Sequence, residues 1–233
     1  MFPKHSRFLD VGSGNGDFVK KLLSLGYTGE SLDYSHKAIE FMKKHLGSSK
    51  GIVIRLGNIF TYRPVKKYDV VFSFEVLEHV KEDAKAMMKI YSFLKPGGSF
   101  VMSVPAHMAL WANVDVLKGH FRRYERKELK NKLEKAGFVV HSIWCYGFPF
   151  LRLIRFFSSS GEFIKSNIPG LKSQKTGESS IQQEYNPIFA PIISSPLVTI
   201  PLFAIMNLFL NTDLGLGYIV VARKPTSLKS KKR

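Results

Sequence analysis

A chain of 233 residues, 45% hydrophobic and 23% charged, has the length and balance of one large globular domain, which excludes a disordered, collagen-like or disulfide-framed molecule. A single cysteine, Cys145, can form no internal disulfide and fits a reducing, cytoplasmic setting, where it reads as packing rather than as a nucleophile. The net charge of +17 calls for an anionic partner (nucleic acid, an anionic membrane surface or a phosphorylated molecule) and carries no information about fold.

In chain order, Arg7–Val11 reads as a strand that leads straight into glycines, not as a signal peptide. Asp17–Leu25 is an amphipathic helix stopped by Gly26, and Ser31-Leu32-Asp33-Tyr34 ends a second strand. Ser35 then caps a helix running to Leu46. Ile52–Leu56 alternates as a third strand, and Tyr68–Phe74 is the near-continuous apolar run of a buried fourth. A helix over Glu82–Leu94 stops at Lys95-Pro96-Gly97-Gly98, and Ser99–Val104 forms a fifth strand. Glu125–Ala136 is again helical, Phe138–Tyr146 makes a sixth strand, and Gly217–Ala222 a last one. Alternating strands and helices predict an α/β, doubly wound, Rossmann-like sheet of seven strands with helices on both faces. Residues 1–146 and 217–224 would form its core, 147–216 an insertion between the last two strands, and 225–233 a basic solvated tail.

Between the first strand and first helix lies Asp10-Val11-Gly12-Ser13-Gly14-Asn15-Gly16. Glycines there let the backbone turn sharply and approach a ligand at the carboxyl edge of the sheet. The spacing is G-x-G-x-G, not the G-x-G-x-x-G of dinucleotide sites, and Asp17 stands where a pyrophosphate would need the bare helix terminus. Asp33, ending the second strand, is at the right distance to accept hydrogen bonds from a ribose. His and acidic residues show no H-x-x-x-H or paired ligand spacing, so no metal is expected.

These motifs, together with Leu32-Asp33-Tyr34-Ser35, Tyr68 through Val80 (with Leu77-Glu78-His79) and Leu94-Lys95-Pro96-Gly97-Gly98, follow the order seen in class I S-adenosylmethionine-dependent methyltransferases. The sequence resembles that family over roughly Arg7–Tyr146 plus the last strand, in the branch that includes ubiquinone-pathway O-methyltransferases and enzymes of glycan and lipid biosynthesis. The resemblance implies a mostly parallel sheet with an antiparallel last strand and S-adenosyl-L-methionine as cofactor. Gly12, Ser13, Gly14 and Gly16 would lie against its methionine part, Asp10 would hold its amino group, and Asp33 and Tyr34 its ribose. Asn58, with Ile59, stands where the family usually has Asp on the adenine amino group, and Asn keeps an acceptor oxygen for that role. Phe74 would touch the methionine moiety, or pack in the core. In resembling enzymes the Glu78-His79 segment opens towards the acceptor, making His79 a candidate general base; the plainer role is to satisfy backbone at a helix start. Family members usually carry an amino-terminal helical cover, whereas six residues precede Arg7 here; either the chain is shortened, its start is misplaced, or the 147–216 segment supplies the cover.

Two further segments bear on the acceptor. Pro105-Ala106-His107 follows the fifth strand at the site-facing edge, and Gly119-His120-Phe121-Arg122-Arg123-Tyr124 precedes the next helix. His107, Arg122 and Arg123 are candidate contacts to a phosphate or carboxylate, and His120 a second candidate base. In 150–157, Arg152 and Arg155 share one helical face and Leu151 and Ile154 another, which together with the apolar Ile188–Leu210 stretch fits contact with an anionic membrane surface. Pro187, Pro191, Pro196 and Pro201 argue against a transmembrane span there. The expected function is methyl transfer to an oxygen or nitrogen of a small or lipid-linked, anionic acceptor. RNA methylation, which the charge favours but no base-flipping signature supports, and a cofactor-binding inactive partner subunit are the alternatives.

Overall fold

The computed structural model describes residues 2–3, 5–153 and 195–226. Its centre is a seven-stranded sheet of β1 (Arg7–Val11), β2 (Thr28–Asp33), β3 (Ile52–Leu56), β4 (Tyr68–Phe74), β5 (Leu94–Pro105), β6 (Val139–Tyr146) and β7 (Gly217–Arg223) in the order β3-β2-β1-β4-β5-β7-β6. Pairings among β1–β5 are parallel, and β7 runs antiparallel between β5 and β6. The strand order reverses between β1 and β4, the point at which an open sheet leaves a crevice beyond its carboxyl ends.

Successive strand residues point to opposite faces, so β1 feeds two cores. Phe8 joins Val19, Leu22, Ile39 and Met42, the inward stripes of α1 (Asp17–Ser24) and α2 (His36–Leu46). Leu9 joins Met87, Ile90, Leu129 and Leu133 from α3 (Asp83–Phe93) and α5 (Arg126–Lys135) on the other face. Ser35 caps α2 as expected, its Oγ accepting from the Ala38 N–H at 3.3 Å. Below the sheet, the buried Glu30 of β2 is paired with Arg7 and Arg55 and accepts the Tyr62 hydroxyl at 2.9 Å, tying β1, β2 and β3 together.

Three elements depart from the sequence reading. β5 starts at Leu94, not Ser99, because Lys95-Pro96-Gly97-Gly98 is absorbed as an irregularity in the β4–β5 pairing; Gly97 sits at φ 77° and a Cβ on Gly98 would lie 2.9 Å from the Lys95 carbonyl. A short helix α4 (Asn113–Leu117) lies in a stretch with no periodic signal; Asp115 closes it by accepting from the Ala112 N–H at 2.9 Å. Part of the apolar stretch forms α6 (Pro196–Asn207), in which Pro196 occupies the opening turn, where no hydrogen bond is lost, and Pro201 is carried inside. Among the described residues no helix is long and apolar enough to cross a membrane. Most of the expected insertion, including Arg155 and Ile188, and most of the basic tail lie outside the described residues.

Candidate active site

The glycine loop leaves β1 at the reversal of strand order. Gly12, Gly14 and Gly16 have φ of 73°, 53° and 81°, the left-handed region that costs other residues strain. At Gly12 space is lacking as well, since a Cβ would stand 2.3 Å from Val76 Cγ2. Val76 follows β4, so the loop and the segment after β4 are in direct contact. Asp33 does more than the sequence suggested: Oδ2 accepts from the Gly14 N–H at 2.9 Å and Oδ1 from the Ser35 N–H at 2.8 Å, so it holds the loop in shape. Each oxygen keeps a second lone pair for a ligand hydroxyl.

Asp10, at the mouth of β1, is 3% exposed. Burial, with the Asp33 charge adding to it, pushes its carboxyl up to about 7. The Ser13 hydroxyl beside it is buried with no partner among the described residues. A carboxyl made uncomfortable by burial and an orphaned hydroxyl together suit an amino-acid moiety, whose ammonium would restore the charge on Asp10. Of the other expected cofactor contacts, Tyr34 is exposed and Ile59 buried. Asn58 Oδ1 accepts from the Phe60 N–H at 2.8 Å, holding the turn after β3. Phe74 meets Phe18 edge-on at 4.9 Å and packs against the core cluster of that face.

Beyond β4 the chain gathers groups that spacing alone did not connect. Glu75, held at φ 53°, accepts from Ser103 Oγ at 2.7 Å and from the Tyr146 hydroxyl at 3.2 Å. A 3-10 turn over Leu77–His79 buries Glu78 completely, with one carboxylate oxygen 4.0 Å from His79 Nε2. Burial first, and the Glu75 charge second, raise the Glu78 carboxyl well above the usual range. The His79 and His120 rings meet edge-on at 4.7 Å. His120 Nδ1 lies 3.0 Å from Asp115 Oδ1, and burial, helped by His79, lowers its pKa to about 4. Burial likewise lowers that of His79, against a hydrogen bond to the Gly119 carbonyl. Both imidazoles are therefore neutral at pH 7. Glu78, His79 and His120 each bring one ligand atom within 4.8 Å of the others, a grouping able to hold a divalent ion. The sequence reading expected no metal because these ligands come from two loops and share no spacing signature.

The expected acceptor arginines have other occupations. Arg123, 5% exposed, pairs with the buried Asp115 at 2.7 Å and donates to the Ala106 carbonyl at 3.1 Å. Arg122 pairs with Asp83 at 2.8 Å and donates to the Lys81 carbonyl at 2.7 Å. Both fasten the 107–124 loop, a use of arginine that a basic doublet in sequence does not reveal. His107, half-buried, sets Nδ1 3.2 Å from Glu125. Glu75, Asp115 and Tyr146 were not anticipated; only Glu75 carried a signal, by following directly on a buried strand.

A glycine loop at the crevice of a mostly parallel sheet with an antiparallel β7 is a Rossmann-like arrangement. The family model for the methyltransferase domain matches residues 1–143, and the chain belongs to that family, the class I S-adenosylmethionine-dependent methyltransferases. It is 33% identical to malonyl-[acyl-carrier protein] O-methyltransferase 2 of Ilyobacter polytropus over 97 residues, 41% of this chain and 38% of that protein. It is 32% identical to the mitochondrial ubiquinone biosynthesis O-methyltransferase of Schizosaccharomyces pombe over 154 residues, 59% of this chain and 56% of that one. The matched region thus spans only about 38% to 56% of these curated relatives. In fold, the chain is similar to phosphoethanolamine N-methyltransferase 2 of Haemonchus contortus (TM-score 0.63, 16% identity, covering 97% of this chain and 50% of that one). It is also similar to an S-adenosylmethionine-dependent methyltransferase of Mesorhizobium loti (TM-score 0.56, 19% identity, covering 95% and 93%).

Proposed function

We propose that this chain is an O-methyltransferase acting on a lipid-linked or otherwise carrier-borne acceptor. The observation that carries the reading is the edge-on His79–His120 pair, joined to the glycine loop through Val76. Asp10 and Ser13 would hold the amino-acid end of S-adenosyl-L-methionine, Asp33 its ribose and Asn58 its base. When bound, that cofactor supplies an electrophilic methyl group on a sulfonium. His120 presents Nδ1–H to Asp115, which leaves Nε2 as a lone pair able to take the proton of an acceptor hydroxyl. His79 packs against that ring, and Glu75 and Tyr146 offer hydrogen bonds that orient the acceptor. The rest of the work is positioning.

The carrier-borne character rests on the surface beside the site. Ile200, Phe203 and Leu208 of and after α6, with Leu151 and Leu153 after β6, are exposed, and the whole chain carries +17. An apolar face on a cationic protein suits an anionic bilayer more than it suits RNA. The Ilyobacter and Schizosaccharomyces proteins are named for O-methylation on an acyl-carrier protein and in ubiquinone biosynthesis, which supports the same reading. The test is transfer of labelled methyl groups from S-adenosylmethionine to lipid extract, acyl-carrier-linked acids and RNA. Label entering lipid or acyl-carrier fractions, and lost in His120→Ala, is expected. Label in RNA alone overturns the proposal. Tight cofactor binding with no transfer anywhere leaves the inactive-subunit alternative. Flotation with anionic vesicles, lost as salt rises, checks the surface.

A further inference from the structure

Beyond the acceptor cleft, we propose that His107, Cys145 and Asp213 form a binding site for a zinc-type divalent ion that clamps the β5-β7-β6 corner of the sheet. The three residues are far apart in sequence and are gathered by topology. Cys145 of β6 pairs with Tyr218 of β7, and Pro105 at the end of β5 pairs with Gly217. His107 therefore leaves β5 beside the point where Asp213 leads into β7, a junction sealed by the Ala106 N–H donating to the Leu216 carbonyl at 2.8 Å. Each residue offers one ligand atom, and the three lie within 4.8 Å of one another. Ligands on a tetrahedral zinc stand about 3.4–3.7 Å apart, so the site closes by about an ångström, a movement open to the half-exposed Asp213.

Each ligand is already oriented by an outer partner, as metal ligands commonly are. Glu125 Oε2 lies 3.2 Å from His107 Nδ1, which commits that nitrogen and leaves Nε2 for a metal; Nε2 is buried and has no partner among the described residues. His107 is held there at φ 63°, a left-handed backbone rarely accepted by a residue with a side chain. The Gly215 N–H donates to Cys145 Sγ at 3.1 Å, which fixes the direction of the sulfur. Asp213 Oδ1 accepts from Arg126 Nε at 2.6 Å and from the Tyr218 hydroxyl at 3.1 Å, which leaves Oδ2 for the ion. One sulfur, one imidazole and one carboxylate select a borderline-soft ion over magnesium or calcium. On binding, the Cys145 thiol loses its proton to solvent as the metal–sulfur bond forms.

Cys145 is the only thiol in the chain, so a thiolate-to-metal charge-transfer band reports this site and no cluster of His and Glu alone. The full chain is freed of metal with a chelator and titrated with Co2+, followed by displacement with Zn2+. One thiolate-bound cobalt per chain, marked by a near-ultraviolet band that zinc bleaches, is expected, along with a Tm that rises with zinc concentration. Cys145→Ser removes the band, and His107→Gln and Asp213→Asn each weaken cobalt binding at least tenfold. Glu125→Gln weakens it roughly ten- to a hundredfold through the lost orienting contact. Circular dichroism checks that each variant folds; if Cys145→Ser does not, His107→Gln, which keeps the thiol, decides. No thiolate band at saturating cobalt, or a band whose affinity is unchanged in His107→Gln, overturns the proposal.

Discussion

If Asp10 holds the cofactor's ammonium group, its ionisation must be coupled to binding. The free protein keeps this 3%-exposed carboxyl protonated up to about pH 7. With a pKa of about 7, roughly 3% of Asp10 is ionised at pH 5.5 and about three quarters at pH 7.5, so affinity for S-adenosylhomocysteine should rise about 25-fold over that interval. The linked effect on the unliganded fold has the opposite sign. A carboxyl whose folded pKa is raised holds a proton that the unfolded chain gives up, so stability is lost as pH climbs from about 4 to 7, by up to about 4 kcal/mol. Isothermal titration at both pH values, in buffers of differing ionisation enthalpy, measures the affinity and the proton released. Asp10→Asn should bind more weakly at pH 7.5 and show a flat profile. Equal affinity of the parent at both pH values, or the same slope in Asp10→Asn, would refute the reasoning.

Other substitutions test neighbouring parts of the site. Gly12→Ala adds a Cβ 2.3 Å from Val76 Cγ2 at a φ of 73°, and should cost about 1–3 kcal/mol in thermal unfolding, with partial recovery in the Val76→Ala double variant. Asp115→Ala strands Arg123 in the interior and should cost about 3–5 kcal/mol, whereas Arg122→Ala, at a more exposed pair, should cost about 1 kcal/mol or less. His120, held at about 4, should set the acid limb of kcat/KM near pH 4 instead of the usual histidine range; its reluctance to protonate means that folded stability, full above about pH 6.5, falls as pH drops towards 4. His120→Gln should lower turnover, remove that limb and leave cofactor affinity unchanged, which a limb persisting in the variant would contradict.

The sheet was legible because strand alternation, helix stripes and their stops are local. Arg7–Val11, Ile52–Leu56 and Tyr68–Phe74 were delimited by their own apolar runs, and Ser35 announced its helix by a side chain that folds back three residues. The glycine loop and Asp33 were legible for a similar reason, since one turn and one strand end bring them together. The partners of His120, Arg122 and Arg123 were not. Asp115 comes from a short helix with no apolar period, and Asp83 stands about 40 residues before the arginine it holds. Both contacts depend on how the 107–124 loop lies across β5. Cys145 shows the same limit: its packing could be read from the strand, its neighbours His107 and Asp213 only from the position of β7.

Because β7 enters the sheet from the carboxyl edge, Tyr146 and Gly217 are direct neighbours although a long stretch of chain separates them. Closing a loop of about 70 residues costs about 4 kcal/mol, and doubling its length would add only about 0.6 kcal/mol. The sheet is therefore nearly indifferent to how much polypeptide is threaded between β6 and β7, and whatever is threaded there begins and ends on the side where the glycine loop opens. In such an arrangement one segment can lengthen, shorten or be rewritten while the strands that hold the glycine loop keep their register.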